Sequence, residues 1–413
     1  MAEFVVTMVD AYAYTSRLRD GRMVRLGIEN LMQRELDSLA GERIGLITNP
    51  SGVDSNLTPA IDLLHGAEDV DLRQLFGPEH GIRGSKQAGV KVEDGIDERT
   101  GLPVKSLYGD DRRLQPASVA ELDTVVYDLQ DIGSRFYTLI YTLAYALQGT
   151  AETNTRIMVL DRPNPIAPLS VRGNRIDDDA ESFVGGYGLP IIHGLTVGEL
   201  ARYFNTEYGI GADLDVVELS GWSREEWYNE TELPWIHPSP NMPTLTTATI
   251  YPGTCFFEGT TLSEGRGTTK PFELVGAPWI DAEQWSASLN ELDLDGVGFR
   301  PAYFTPMFSK HERKDIEGVH VHVLDRDVVD PVAVGITMLA SAFITYPDSD
   351  WLTIDGDYFV DKLAGGDRLR KEIDAAGPDI DPHELFCDVR DDWERDEAAF
   401  SETRSRYLLY ATD

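Results

Sequence analysis

Four short apolar runs, each stopped by a cluster of turn-forming and polar residues, constrain this 413-residue chain more than any other feature. Residues 43–48 run into Asn49-Pro50, 72–76 into Gly77-Pro78-Glu79-His80, 124–127 into Asp128-Leu129-Gln130-Asp131, and 156–160 into Asp161-Arg162-Pro163-Asn164-Pro165. Runs this apolar and this short read as strands buried on both faces, which is how parallel sheets read. The expected order is strand 43–48, helix 56–66, strand 70–76, a long polar loop 77–115, strand 123–128, helix 136–150 and strand 156–160. A helix follows Gly194, then a strand in DLDVVEL. Such alternation predicts an α/β fold with a Rossmann-like parallel sheet. Open sheets of this kind bind ligands beyond the carboxyl ends of their strands, so the four polar clusters should meet on one edge. No G-x-G-x-x-G follows the first strand, whose loop reads TNPSGV, and a dinucleotide site is not expected.

A chain of this length exceeds one typical core, and two domains are expected. We divide it into an N-terminal extension 1–25, a Rossmann-like domain 26–249 and a smaller α/β domain 250–413. The second should hold a strand at 318–324 and helices at 331–345, 357–373 and within 382–405. Residues 234–271, rich in Pro, Gly and Thr and without periodicity, are expected to run irregularly along the seam.

Acidic residues number 71 against 36 basic ones, a net charge of −35, and only eight of the basic residues are lysine. Acids dispersed along the whole chain suit a surface adapted to high salt, where screening relieves self-repulsion. No basic patch offers itself to nucleic acid. No apolar stretch approaches the roughly 18–20 residues of a membrane span. The N-terminal segment carries Glu3 and Asp10 and lacks the basic start and apolar core of a secretory signal, so a cytoplasmic, high-salt location is expected. Cys255 and Cys387 make neither a disulfide framework nor a metal motif, and buried free thiols are expected.

Carboxylates are the abundant reactive groups at the expected sheet edge: Glu79, Asp128, Asp131 and Asp161, with Glu258, Glu264 and Glu273 on the seam. A carboxyl group beside Phe76 and other acids should have its pKa raised, as a general acid requires. Carboxylate pairs suit glycoside hydrolysis. Arg135 and Tyr137 should open a helix just after Asp131, and the guanidinium either attracts an anionic substrate group or pairs with Asp131 or Asp161. Arg266, between glycines in SEGRGT, has the same two readings, its glycines favouring close ligand approach. His193 either binds a sugar hydroxyl or satisfies buried backbone. His320 and His322, two apart on a strand, share a face and have a spacing that metal sites use.

Seven segments in order, ITNPSGV, FGPEHGIRG, YDLQDIGSRFYT, LDRPNP, PIIHGLTVGELA, PSPNMPT and FEGTTLSEGRGTTKPFE, resemble the NamZ family of exo-β-N-acetylmuramidases from about Arg43 onward. The resemblance implies a Rossmann-like N-terminal domain, a smaller α/β C-terminal domain, an active-site cleft between them and no cofactor; no metal site is expected. It implies release of terminal N-acetylmuramic acid from the non-reducing end of murein fragments, with Glu79 at the family's candidate catalytic position. Glu79 is then expected to protonate the glycosidic oxygen, with His80 beside it and Asp131, Asp128 or Glu264 as base, nucleophile or charge stabiliser. A substrate-assisted route through the sugar's acetamido group is the alternative to a protein nucleophile. Asn49, Asn164, His193 and Tyr137 are expected at the substrate, and Arg135, Arg266 and Asn241 at its lactyl carboxylate and hydroxyls. The rival readings are a metal-dependent hydrolase using Glu79, His80, His320 and His322, and a non-catalytic amino-sugar-binding protein.

Overall fold

The structure is a computed structural model and describes residues 23–410 except 85, 86, 88, 110, 111, 177–179 and 392. Most of the expected N-terminal extension therefore lies outside the described residues. Its last residues belong to the fold, since Val24 is buried and Arg25 exchanges backbone hydrogen bonds with Ser220.

β1 (Arg43–Thr48), β2 (Asp71–Gly77), β3 (Gly95–Ile96), β4 (Pro103–Ser106), β5 (Thr124–Asp128), β6 (Arg156–Leu160) and β9 (Leu214–Val217) form one sheet in the order β3-β4-β2-β1-β5-β6-β9. Every pairing is parallel except the short β3 edge. β1 pairs with both β2 and β5, so the chain reverses its direction of travel across the sheet there. After the single-turn α1 (Gly27–Asn30), helices α2 (Ala60–Gly66), α4 (Leu139–Ala151) and α5 (Val197–Glu207) make the crossovers, and the single-turn α3 (Pro116–Val119) precedes β5. α2 starts later than its sequence suggests because Asp54 accepts from the N–H groups of Asn56 and Thr58, and Leu57 turns to φ 67°. β3 and β4 occupy what reads as a polar loop; at two and four residues they are too short to show a period. A small antiparallel pair, β7 (Arg172–Arg175) and β8 (Pro190–Ile192), lies outside the main sheet.

The stretch 234–271 is not irregular throughout. It contains α6 (Leu245–Thr254), whose Thr244 cap accepts from Thr247 N at 3.1 Å. Residues 247–254 are all buried, so no polar face marks the helix, and Thr249 and Thr254 return their hydroxyls to the carbonyls four residues back. The division expected between 249 and 250 falls inside this helix. α6 crosses α8 (Pro331–Thr345) where Gly253 meets Gly335; a Cβ on Gly253 would stand 1.7 Å from Pro331 O.

Beyond α6 stand β10 (Leu274–Ala277), β11 (Val297–Phe304) and β12 (Ile316–Val323), an antiparallel sheet in the order β10-β12-β11, with α7 (Ala282–Glu291) and α8 packed on it. A further short pair, β13 (Thr353–Ile354) and β14 (Asp357–Tyr358), precedes the C-terminal helices. The helix expected at 357–373 is two, α9 (Phe359–Ala364) and α10 (Arg368–Ala375), parted by Gly365 at φ 77° and Gly366. The last is also two, α11 (Pro382–Arg390) and α12 (Trp393–Arg404). The chain then returns to the first domain: Arg404 donates to Gly194 O, Leu409 N to Glu199 and Tyr410 Oη to Asp161.

Candidate active site

The polar clusters do converge at the carboxyl edge of the sheet, but three of them bind one another. Gln130 N donates to Ser51 Oγ, Gln130 Nε2 to Pro163 O, and Arg162 to both oxygens of Asp128 at 2.6 and 2.9 Å. Asn49 donates to Pro238 O and Asn164 to Leu195 O. Asn49, Asp128 and Asn164 are therefore buried parts of the sheet edge, and none lines the cavity described below. Asp161 is likewise internal, accepting from Thr196, Gly198 and Tyr410.

The fourth cluster opens on space. β2 ends in a turn closed by Gly81 N to Pro78 O at 2.9 Å, with His80 at φ 75°, a conformation that costs a non-glycine residue free energy. This turn presents Glu79 to a cavity of about 580 Å³ between the two domains. Gly89 N donates to Glu79 Oε1 at 2.9 Å and Thr138 Oγ1 to Oε2 at 2.6 Å, immediately before α4. The half-buried Tyr108 hydroxyl stands beside it, pushed up to about 12 by burial and then by the Glu79 charge. His80, Tyr137 and Asn241 line the same cavity. The Tyr137 hydroxyl and Asn241 Nδ2 have no hydrogen-bond partner among the described residues, although both side chains are more than nine-tenths buried. Burial, then the charges of Asp131 and Glu79, push the Tyr137 hydroxyl far above its ordinary range, so it stays a neutral donor.

The opposite wall comes from the second domain. The turn of helix after α6 supplies Cys255 and Glu258, and the loop before β10 supplies Arg266 and Phe272. Arg266 reaches the cavity already paired, Nη2 to Glu258 at 2.7 Å and Nε to Glu264 at 3.3 Å, with its guanidinium 5.2 Å from the Phe272 ring centre. Glu264 sits behind it and also pairs with Lys310 at 2.9 Å. Burial alone would raise the Glu264 carboxyl, but the Lys310 and Arg266 charges outweigh it and hold it below the usual range. The glycines of SEGRGT serve packing rather than ligand approach: a Cβ on Gly267 would lie 2.5 Å from Phe308 O.

Three further expectations meet different surroundings. Arg135 is fully buried and donates to the carbonyls of Asn174, Leu189 and Leu363, so it ties the first domain to α9 and does not line the cavity. Asp131 accepts from Gly133 N and lies 3.3 Å from His193 Nε2, both behind the cavity wall. The His320 and His322 rings lie 4.0 Å apart on β12, tilted to one another, with His320 facing Glu273 at 3.7 Å, and neither lines the cavity. Among the described residues no three His, Cys, Asp or Glu side chains gather as metal ligands, and no helix is long and apolar enough to cross a membrane. Sequence reasoning missed Tyr108, Arg112, Thr138, Tyr251 and Phe272 as lining residues. Thr138 and Phe272 had a signal, since they lie in the YDLQDIGSRFYT and FEGTTLSEGRGTTKPFE segments.

The comparisons with known proteins agree with this architecture. The N-terminal model of the exo-β-N-acetylmuramidase NamZ matches residues 44–246, and the C-terminal model matches 249–410. The peptidoglycan β-N-acetylmuramidase NamZ of Bacillus subtilis strain 168 is 44% identical over 387 residues, covering 94% of this chain and 91% of that protein. Two crystal structures of DUF1343-family proteins from Bacteroides fragilis superpose with TM-scores of 0.85 and 0.72, at 37% and 28% identity, each over 94% of this chain and 99% of the other. With family models spanning both domains and a relative of this identity along nearly its whole length, the chain belongs to the NamZ exo-β-N-acetylmuramidase family of glycoside hydrolases.

Proposed function

We propose that this protein releases terminal N-acetylmuramic acid, or a closely related amino sugar, from the non-reducing end of murein-type fragments, with Glu79 as the general acid. One observation carries the reading: the Glu79 carboxylate projects from the end of β2 into an interdomain cavity and is gripped by Thr138 and Gly89. A threonine hydroxyl can donate to a carboxylate and accept from a carboxylic acid, so this partner serves Glu79 on both sides of a proton transfer. Tyr137 and Asn241 supply buried donors for sugar oxygens. Across the cavity Glu258, paired with Arg266, takes the place given to Asp131, Asp128 or Glu264 in the sequence reading. There it would stabilise the oxocarbenium-like charge, attack the anomeric carbon, or hold the acetamido group in a substrate-assisted route. The rival readings lose their support, because His320 and His322 stand apart from Glu79 and the chain's family is one of hydrolases.

The cleavage mode is tested on murein glycan fragments labelled at the reducing end. Shortening by one muramic acid from the other end is the expected result; internal cleavage of long fragments would overturn the proposal.

A further inference from the structure

Of the cations in or near the cavity, most are already committed. Arg266 is neutralised by Glu258 and Glu264, Arg135 is spent on three carbonyls, and Lys362 pairs with Asp357 at 3.1 Å. Arg112 is different. It lines the cavity, yet no carboxylate pairs with it among the described residues. In a chain whose 71 acids outnumber its 36 bases, an arginine that lines a cavity with no acid partner among the described residues points to a ligand. Its guanidinium is held by rings instead, 4.1 Å from the Phe183 centroid and 5.0 Å from that of Tyr108. Stacking of this kind fixes the guanidinium plane and leaves its N–H edges for hydrogen bonds.

Tyr108 joins this cation to the proposed acid. Its ring lies beside Arg112 while its hydroxyl stands beside Glu79. A sugar that offers its glycosidic oxygen to Glu79 would thus reach toward Arg112 with a substituent on the far part of its ring. We infer that Arg112, propped by Phe183 and Tyr108, is the specificity-determining residue that receives the carboxylate of the 3-O-lactyl arm and so distinguishes muramic acid from uncharged N-acetylhexosamines. The inference rests on the muramidase reading above and names the residue that selects its substrate. It also replaces Arg135 and Arg266, whose charges are engaged elsewhere. A guanidinium and a carboxylate make two parallel charge-assisted hydrogen bonds, a geometry that lysine cannot copy.

The test compares an aryl N-acetylmuraminide with its lactyl methyl ester, the same sugar without the charge. Wild-type enzyme should prefer the free acid in kcat/KM. Arg112→Gln should shrink that preference by about 10- to 100-fold, the scale of a charge-assisted hydrogen-bonded pair, and Arg112→Lys should fall between. Arg112 is exposed, so wild-type thermal unfolding is expected of both variants. An unchanged preference, or an equal loss on acid and ester, would overturn the assignment. If wild-type protein hydrolyses neither compound, the muramidase reading is what fails, and calorimetric titration decides this one. Arg112→Gln must then weaken binding of N-acetylmuramic acid and leave that of N-acetylglucosamine unmoved; any other pattern rejects it.

Discussion

The Thr138 hydroxyl donates to Glu79 Oε2 at 2.6 Å, tying the end of β2 to the start of α4 through the carboxylate that faces the cavity. The partner oxygen takes a backbone N–H from Gly89, so both oxygens of the carboxyl group are held before any sugar arrives. A proton donor must be aimed as well as protonated, and this pair of bonds supplies the aim.

Glu79→Gln keeps nearly the same volume and cannot deliver a proton. Turnover of disaccharide substrates should fall by roughly 10² to 10⁴-fold with ligand binding retained. The loss should be smaller for an aryl glycoside, whose leaving group needs less protonation. Steady-state kinetics on both substrates measure this, and near-normal turnover of the disaccharide would remove Glu79 from the mechanism.

Thr138→Val removes the aim and leaves the acid. We expect kcat to fall by about 10- to 100-fold, with little change in KM, because a hydrogen bond to a charged group contributes about 1.5–3 kcal/mol. Thr138→Ser should restore most of the rate. A loss expressed only in KM would point to a substrate-binding role instead.

The crossing of α6 and α8 makes a stability prediction. A methyl group on Gly253 would stand 1.7 Å from Pro331 O, a backbone atom that cannot step aside as a side chain can. Gly253→Ala should therefore cost about 3 kcal/mol or lead to insoluble protein, at or beyond the upper end of ordinary overpacking. Chemical denaturation of the variant, or its failure to accumulate in soluble form, checks this; a midpoint equal to wild type would show that the helices can separate freely.

Much of the first domain was legible because its signals are local. A run of apolar residues followed by Gly-Pro names both a buried strand and its end, and this placed Glu79 and His80 correctly at the tip of β2. The arginines were not legible. Arg135 and Arg112 look alike in sequence, each near aromatic residues, yet one is enclosed by carbonyls of β7, the β8 edge and α9, and the other stacks on Phe183, some seventy residues away. Only tertiary packing separates them. α6 was hidden for a related reason: a helix buried on all sides carries no amphipathic period, and its threonines and proline read as loop. The split of the C-terminal helices at Gly365-Gly366 was signalled by the glycines themselves.

The salt response follows from the charge. With a net −35 spread along the chain, self-repulsion opposes the compact state at low ionic strength, and screening removes most of it within a few ångströms near 1 M salt. Thermal unfolding should shift upward steeply as KCl rises from millimolar to molar. A midpoint that stays flat across that range would leave the acidic composition without a halophilic explanation.

Glu273 gives the pH dependence its sign. Burial alone would raise this carboxyl, but His320, Lys270 and Thr247 together outweigh burial and hold it at about 2, against 4.5 for an unperturbed glutamate. Lys270 lies 2.8 Å from one oxygen, and Thr247, in the first turn of α6, donates to the other at 2.6 Å. Between these two pKa values the unfolded chain binds the proton and the folded one does not, so stability rises with pH in that window. The contribution of Glu273 is therefore complete above about pH 4.5 and is lost as the pH falls toward about 2. Glu273→Gln should be less stable than wild type at neutral pH, and the gap should close on acidification through that range. Denaturation midpoints of both proteins, measured at several pH values in one high salt concentration, isolate this carboxyl from the other acids; a gap that stays constant down to pH 2 would show that the Glu273 charge does not tie α6 to the second sheet.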